Sequence, residues 1–148
     1  MIPVIDVPLD APPERRWEML APFAPSIRAL LTEYLYDLAP LVESLTAETA
    51  SIEELLGEET WAELHGLAKV LEMPFQDVLL GNLHYDALTP RWGCTAFAVD
   101  APGGPSHGRN LDWHSEGGAL RSATVQFRFI ERGVERYRTV GWPGYLGC

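Results

Sequence analysis

Residues able to do chemistry gather in one stretch, Trp92 to Ser115, which reads WGCTAFAVDAPGGPSHGRNLDWHS. It holds Cys94, one of two cysteines, directly after Gly93, and Arg109 and Asp112 follow beyond a turn. A cysteine in that setting can serve as a nucleophile, a metal ligand or a small buried apolar residue. The metal reading finds few partners. Cys94, His107, Asp112 and His114 lack the paired Cys-x-x-Cys or His-x-x-x-His spacing of a zinc site, and no metal is expected. Gly104-Pro105-Ser106-His107-Gly108 matches G-x-S-x-G, but that elbow needs a helix after the serine, and strand-like sequence follows here. Ser106 therefore reads as a hairpin residue. On residue type alone, Arg109 and Asp112 read as an ion pair at a strand end.

The segments around this stretch change period at Cys94. Before it the pattern is helical. Ile2 to Leu9, broken by Pro3 and Pro8, suits an edge strand or extended arm, and Pro12-Pro13 opens a short helix through Leu20. Ser26 is the expected cap of a helix carrying Ile27, Leu30, Leu31, Tyr34, Leu35, Leu38, Leu41, Val42 and Leu45 at three- and four-residue steps. Pro40 is expected to divide it near Leu38. Ser51 with Glu54 forms a capping-box pattern for the next helix, which Gly57 interrupts, and Trp61, Leu64, Leu67, Ala68 and Leu71 form its second apolar face. Pro74 begins a last helix with Phe75, Val78, Leu79, Leu83 and Leu88 inward, stopped by Pro90 and Gly93.

After Gly93 the period falls to two. Cys94 to Val99 predicts a strand, Asp100 to Pro105 a turn, and Ser106 to Trp113 a returning strand. Ala123, Val125, Phe127 and Phe129 predict one face of a third strand, paired with Val134 to Val140 across the Glu131–Gly133 turn. Tyr145 and Leu146 look like another strand beginning, which would leave a sheet edge open.

Composition bounds the partners. With 148 residues, 47% hydrophobic and 22% charged, the chain suits one globular domain with a real core. A net charge of -10 argues against nucleic acid and against electrostatic attachment to anionic lipid, while leaving apolar contact with a lipid substrate open. Two cysteines make no disulfide framework. No run spans a bilayer, and no secretory leader is visible, so a cytoplasmic location is the expectation.

Gly-Cys-Thr, then a short apolar strand, a turn and His-Gly-Arg-Asn-Leu-Asp, resembles the acid ceramidase family of amidases. That family includes the acid amidases that hydrolyse N-acylethanolamines. VPLDAPPERRW near the start and GNLHYDAL at Gly81–Leu88 resemble the same group, so the likeness covers nearly the whole chain. More distantly, the Cys…Arg…Asp order resembles bile-salt hydrolases and penicillin V acylases.

The resemblance implies an α+β protein: a helical α portion followed by the first antiparallel strands of an αββα N-terminal-nucleophile hydrolase. It implies self-cleavage between Gly93 and Cys94, giving an α part of residues 1–93 and a β part of residues 94–148 that stay associated. Cys94 would be the thiol nucleophile, Arg109 would lower its pKa, and Asp112 would orient its freed α-amino group. The substrate class implied is a linear N-acyl amide with a fatty chain, an N-acylethanolamine or a ceramide, with no cofactor. Trp113, Trp142 and Tyr145 are candidates for acyl contact, and large aromatics serve equally as core.

The family's β chain is several times longer and carries a downstream Asn for the oxyanion hole and a second Arg, which the residues after Cys94 do not include. A fragment or truncated gene product is therefore the expectation. A non-catalytic binding or assembly module, a homo-oligomer pairing through an unfinished sheet edge, is the competing reading.

Overall fold

Proline and glycine divide the helical half largely where the periodicity predicts. The computed structural model describes residues 2–88, 93–112 and 119–146, with backbone alone at 88, 93–95, 101, 105, 107, 109–112 and 119. Strand β1 (Val4–Pro8) leads into two 3-10 segments, Pro13–Arg15 and Glu18–Phe23, in place of the single short helix expected there. Pro12, Pro13 and Pro22 lack the amide hydrogens that a continuous α ladder needs.

Helix α1 (Ala24–Leu38) buries Ile27, Leu30, Leu31, Tyr34 and Leu38. Ser26 is not its cap. The helix starts three residues earlier, at a Phe23 N-cap without a side-chain bond, because Pro25 fits the first turn. Pro40 ends the ladder as expected: a 3-10 turn, Ala39–Leu41, passes to the short helix α2 (Val42–Ala47). Leu41, expected inside, is exposed, because the break turns its face outward.

Helix α3 (Thr49–Leu71) begins after Glu48, so the Ser51–Glu54 pattern lies within it and caps nothing. The Thr49 hydroxyl instead donates to the Thr46 carbonyl at 2.7 Å. Gly57 does break the helix, at φ 76° and ψ 164°, a region essentially reserved for glycine. Beyond it Leu64, Leu67, Ala68 and Leu71 are buried. Helix α4 (Phe75–Asn82) follows a Pro74 N-cap, and a turn at Leu83 separates it from α5 (His84–Leu88), so the expected single helix is two. Pro90 lies outside the described residues.

The strands form two sheets. β2 (Gly93–Ala101) and β3 (Gly104–Asp112) make an antiparallel ribbon closed by Pro102-Gly103. Phe97 and Val99 are exposed on it, and the Phe97 ring lies over Gly108, where a Cβ would collide with it. The second sheet has the order β1-β4-β5, with β4 at Val125–Glu131 and β5 at Val134–Gly141. The β4–β5 hairpin is the one expected, whereas β1 pairs with β4 in parallel, Val4 opposite Gln126 through Pro8 opposite Ile130.

Ala123 does not belong to that strand. It ends a short helix, α6 (Ala119–Ala123), fastened by the Thr124 hydroxyl to the Leu120 carbonyl at 2.9 Å and by burial of Leu120. Tyr145 and Leu146 form no strand either. The chain turns at Gly144, φ 95°, and lies back on α4.

One face of the three-stranded sheet supplies Ile5, Val7, Val125 and Phe127 to the core, where Trp17 meets Phe127 edge-on at 5.8 Å and Phe129 at 6.3 Å. The other face is charged. Arg128 and Arg138 stand directly opposite each other, each held by a carboxylate, Asp6 and Glu135, which offsets the like-charge repulsion. Arg16, with 9% of its side chain exposed, ties the N-terminal segment to α3 through Glu59 at 2.7 Å and through Glu63, and Trp17 Nε1 donates to Glu63 at 2.8 Å.

Candidate functional site

Strand β2 opens on the two residues of the expected cut, Gly93 and Cys94. The mostly apolar run after Cys94 extends the chain, and the two-residue turn at Pro102-Gly103 returns it with nine paired positions. Register then sets Gly93 opposite Asp112, Cys94 opposite Leu111 and Ala96 opposite Arg109. The backbone of Arg109 therefore stands two ladder steps from that of Cys94, about 7 Å along the strand. Asp112 stands opposite the residue before the cysteine. Three positions separated by up to 18 residues in sequence thus share one end of one ribbon. Ser106 pairs with Val99 inside β3 and is followed by strand through Asp112, so the elbow motif is a hairpin segment. Trp92, Trp113 and His114 lie outside the described residues.

The helical half places a second cluster just upstream of that strand. His84 is 1% exposed, stacked on Tyr34 at 4.1 Å with an interplanar angle of 14°, and its Nε2 lies 3.2 Å from Asp37 Oδ2. Burial holds the imidazole below its ordinary pKa, and the hydrogen bond to Asp37 works against that shift. The Tyr34 hydroxyl lies 2.9 Å from that of Tyr85, and burial raises its pKa above the ordinary tyrosine value.

Tyr85 also faces Trp142 at 5.3 Å and Tyr145 at 4.9 Å. Two of the aromatic residues expected at an acyl pocket are thus packed with a helix tyrosine. The Trp142 indole is buried, and its N–H has no hydrogen-bond partner among the described residues. Tyr145 borders a cleft of about 150 Å³. Asn82 fastens this whole segment. Its amide nitrogen donates to the carbonyls of Val78 and Gly144, each at 2.9 Å, and its oxygen accepts from the Leu146 amide at 2.8 Å. Local sequence singles out neither Asn82 nor Tyr85 beyond their place in GNLHYDAL. Their partners lie tens of residues away, at positions that no local pattern singles out.

Among the described residues no group of three or more His, Cys, Asp or Glu could hold a metal ion. No described helix is long and apolar enough to cross a membrane.

No protein-family model matches the chain. Individual proteins do. N-acylethanolamine-hydrolyzing acid amidase of Rattus norvegicus is 32% identical over 150 residues, which is 98% of this chain and 40% of that protein. The amidase of the same name from Mus musculus is 33% identical over the same length, and acid ceramidase of Mus musculus is 26% identical over 170 residues. The chain is homologous to these acid amidases and acid ceramidases. It spans about 40% of the length of the curated relatives it matches. Its mixed helix and sheet, and its similarity to proteins named as acid amidase and acid ceramidase, set the frame for reading Cys94.

Proposed function

We propose that this chain carries the nucleophile end of a self-processing cysteine amidase of the N-terminal-nucleophile class, acting on linear N-acyl amides with a fatty chain. The observation that carries the reading is homology to two kinds of lipid amidase, joined to a Gly93–Cys94 bond at the first step of a ribbon whose register returns Arg109 and Asp112 to the same end.

In this reading the Cys94 thiol attacks the Gly93 carbonyl, the peptide bond becomes a thioester, and one water releases the Gly93 carboxylate. That frees the Cys94 α-amino group, whose ordinary pKa of about 7.7–8.0 suits a general base near neutrality. The amine takes the thiol proton, the thiolate attacks the substrate carbonyl, and the protonated amine returns its proton to the leaving nitrogen. Water then cleaves the acyl-thioester to the fatty acid. Arg109 lowers the pKa of the thiol, and Asp112 accepts a hydrogen bond from the α-amino group.

Residues 1–93 form the α part and 94–148 the start of the β part of an αββα fold. Their association after cutting is supported by the β1–β4 pairing and by the Asn82 bonds to Gly144 and Leu146, all of which cross the cut.

The test is an intact mass of the protein from its native source, with and without Cys94→Ala. Cleavage between Gly93 and Cys94 that the substitution abolishes is the expected result, and one uncut mass for both refutes the reading. Turnover of conjugated bile salt and penicillin V, with none of N-acylethanolamine or ceramide, would move the assignment to those acylases.

A non-catalytic assembly role has one observation in its favour: Val134, Tyr137 and Val140 are exposed on the edge strand β5. It requires a stable oligomer by light scattering, and a monomer excludes it.

A further inference from the structure

The cleft beside Tyr145 lies between α3, α4, α5 and the segment ending at Leu146. Leu64 and Leu79, both fully buried, line it together with Leu56, Leu83 and Leu146. Its volume of about 150 Å³, in a cleft half open to solvent, is large enough for a small hydrocarbon. The polar groups at it are Thr60, Asn82, Asp86 and Tyr145. The Asn82 amide is already committed to three partners, so it offers an incoming ligand little. Among the described residues no Lys, Arg or His lines the cleft, and Asp86 puts a carboxylate there. An anionic head group would lose hydration without meeting a counter-charge.

Gly57 breaks α3 between Leu56 and Thr60, so the two turns that line this side of the cleft meet at an angle no other residue would adopt.

We propose that this cleft is a binding site for an uncharged aliphatic group of a few carbons, selective against carboxylates. The proposal rests on the lining of the cleft alone and stands if the assignment at Cys94 falls. The experiment follows the leucine methyl resonances of the whole chain by NMR during titration with hexan-1-ol, hexanoate and decan-1-ol at pH 7.

Saturable shifts centred on Leu64 and Leu79 with hexan-1-ol, and at least tenfold weaker binding of hexanoate, are expected. Thr60→Trp, which fills the mouth, is expected to weaken hexan-1-ol at least tenfold, with Leu83→Phe as the second filling variant if the first does not fold. Decan-1-ol binding more tightly than hexan-1-ol identifies the ligand as the end of a longer chain. Exclusion of decan-1-ol identifies a free small molecule. Non-saturating shifts spread over the surface, equal binding of hexanoate, or undiminished binding in a folded filling variant would overturn the proposal.

Discussion

Replacing Gly66 by alanine sets two opposing effects against each other at one atom. Gly66 lies inside α3, where alanine is favoured over glycine by about 1 kcal/mol on helix propensity. A Cβ there, however, would lie 2.6 Å from the carbonyl carbon and 2.9 Å from the Cα of Glu14, with the carbonyl oxygen closer still. Ordinary contact begins at 3.4 Å, so the 3-10 segment Pro13–Arg15 must retreat by more than an ångström. It is poorly placed to do so. Arg16, the next residue, is anchored by Glu59 and Glu63 of the same helix, with 9% of its side chain exposed. Displacing close-packed groups costs about 1–3 kcal/mol, and here the obstruction is backbone with a buried ion pair attached.

Because that obstruction places the cost in the upper part of the range, about 2–3 kcal/mol, the net expectation after the propensity gain is a loss of about 1–2 kcal/mol. In urea that lowers the midpoint by about 0.5–1 M at an m value near 2 kcal/mol/M, with m itself unchanged. A Gly66→Ala protein as stable as the parent, or stabilised by the propensity term alone, would refute the reasoning.

Arg16→Met leaves the Glu63 carboxylate, with 13% of its side chain exposed, without its cation, and a loss of about 3 kcal/mol is expected by denaturant melts. Changing Glu63→Leu in the same chain should restore part of it, and failure of both changes to alter the midpoint would remove the ion pair from the account of the fold.

For His84, burial depresses the folded-state pKa below the ordinary 6.5, so as pH falls the unfolded chain takes up the proton first. Stability should be complete above about pH 6.5 and decline as pH drops from there through the depressed folded value, and His84→Phe should flatten that decline. Parallel slopes of parent and variant between pH 8 and 5 would contradict it.

Local chemistry made much of this protein readable in advance. Pro40 and Gly57 had to interrupt helices, one for want of an amide hydrogen and the other by adopting a conformation closed to side chains. A mostly apolar run followed by turn residues over Asp100–Pro105 foretold the β2–β3 ribbon, whose register brings the backbone of Arg109 and Asp112 back toward Cys94. The polar signals misled: neither Ser26 nor Ser51 caps a helix, because proline placement and the near-continuity of α2 with α3 set the starts.

By itself, then, the sequence determined the elements, their period change at Cys94 and the likeness to lipid amidases, since these rest on neighbours a few residues apart. The tertiary structure alone decided that β1 pairs with β4, that Arg16 reaches Glu63, that His84 meets Asp37, and that Asn82 ties down Gly144 and Leu146. Those partners lie between 47 and about 120 positions apart. They are selected by packing of the whole chain around one core, and residue spacing carries no trace of that choice.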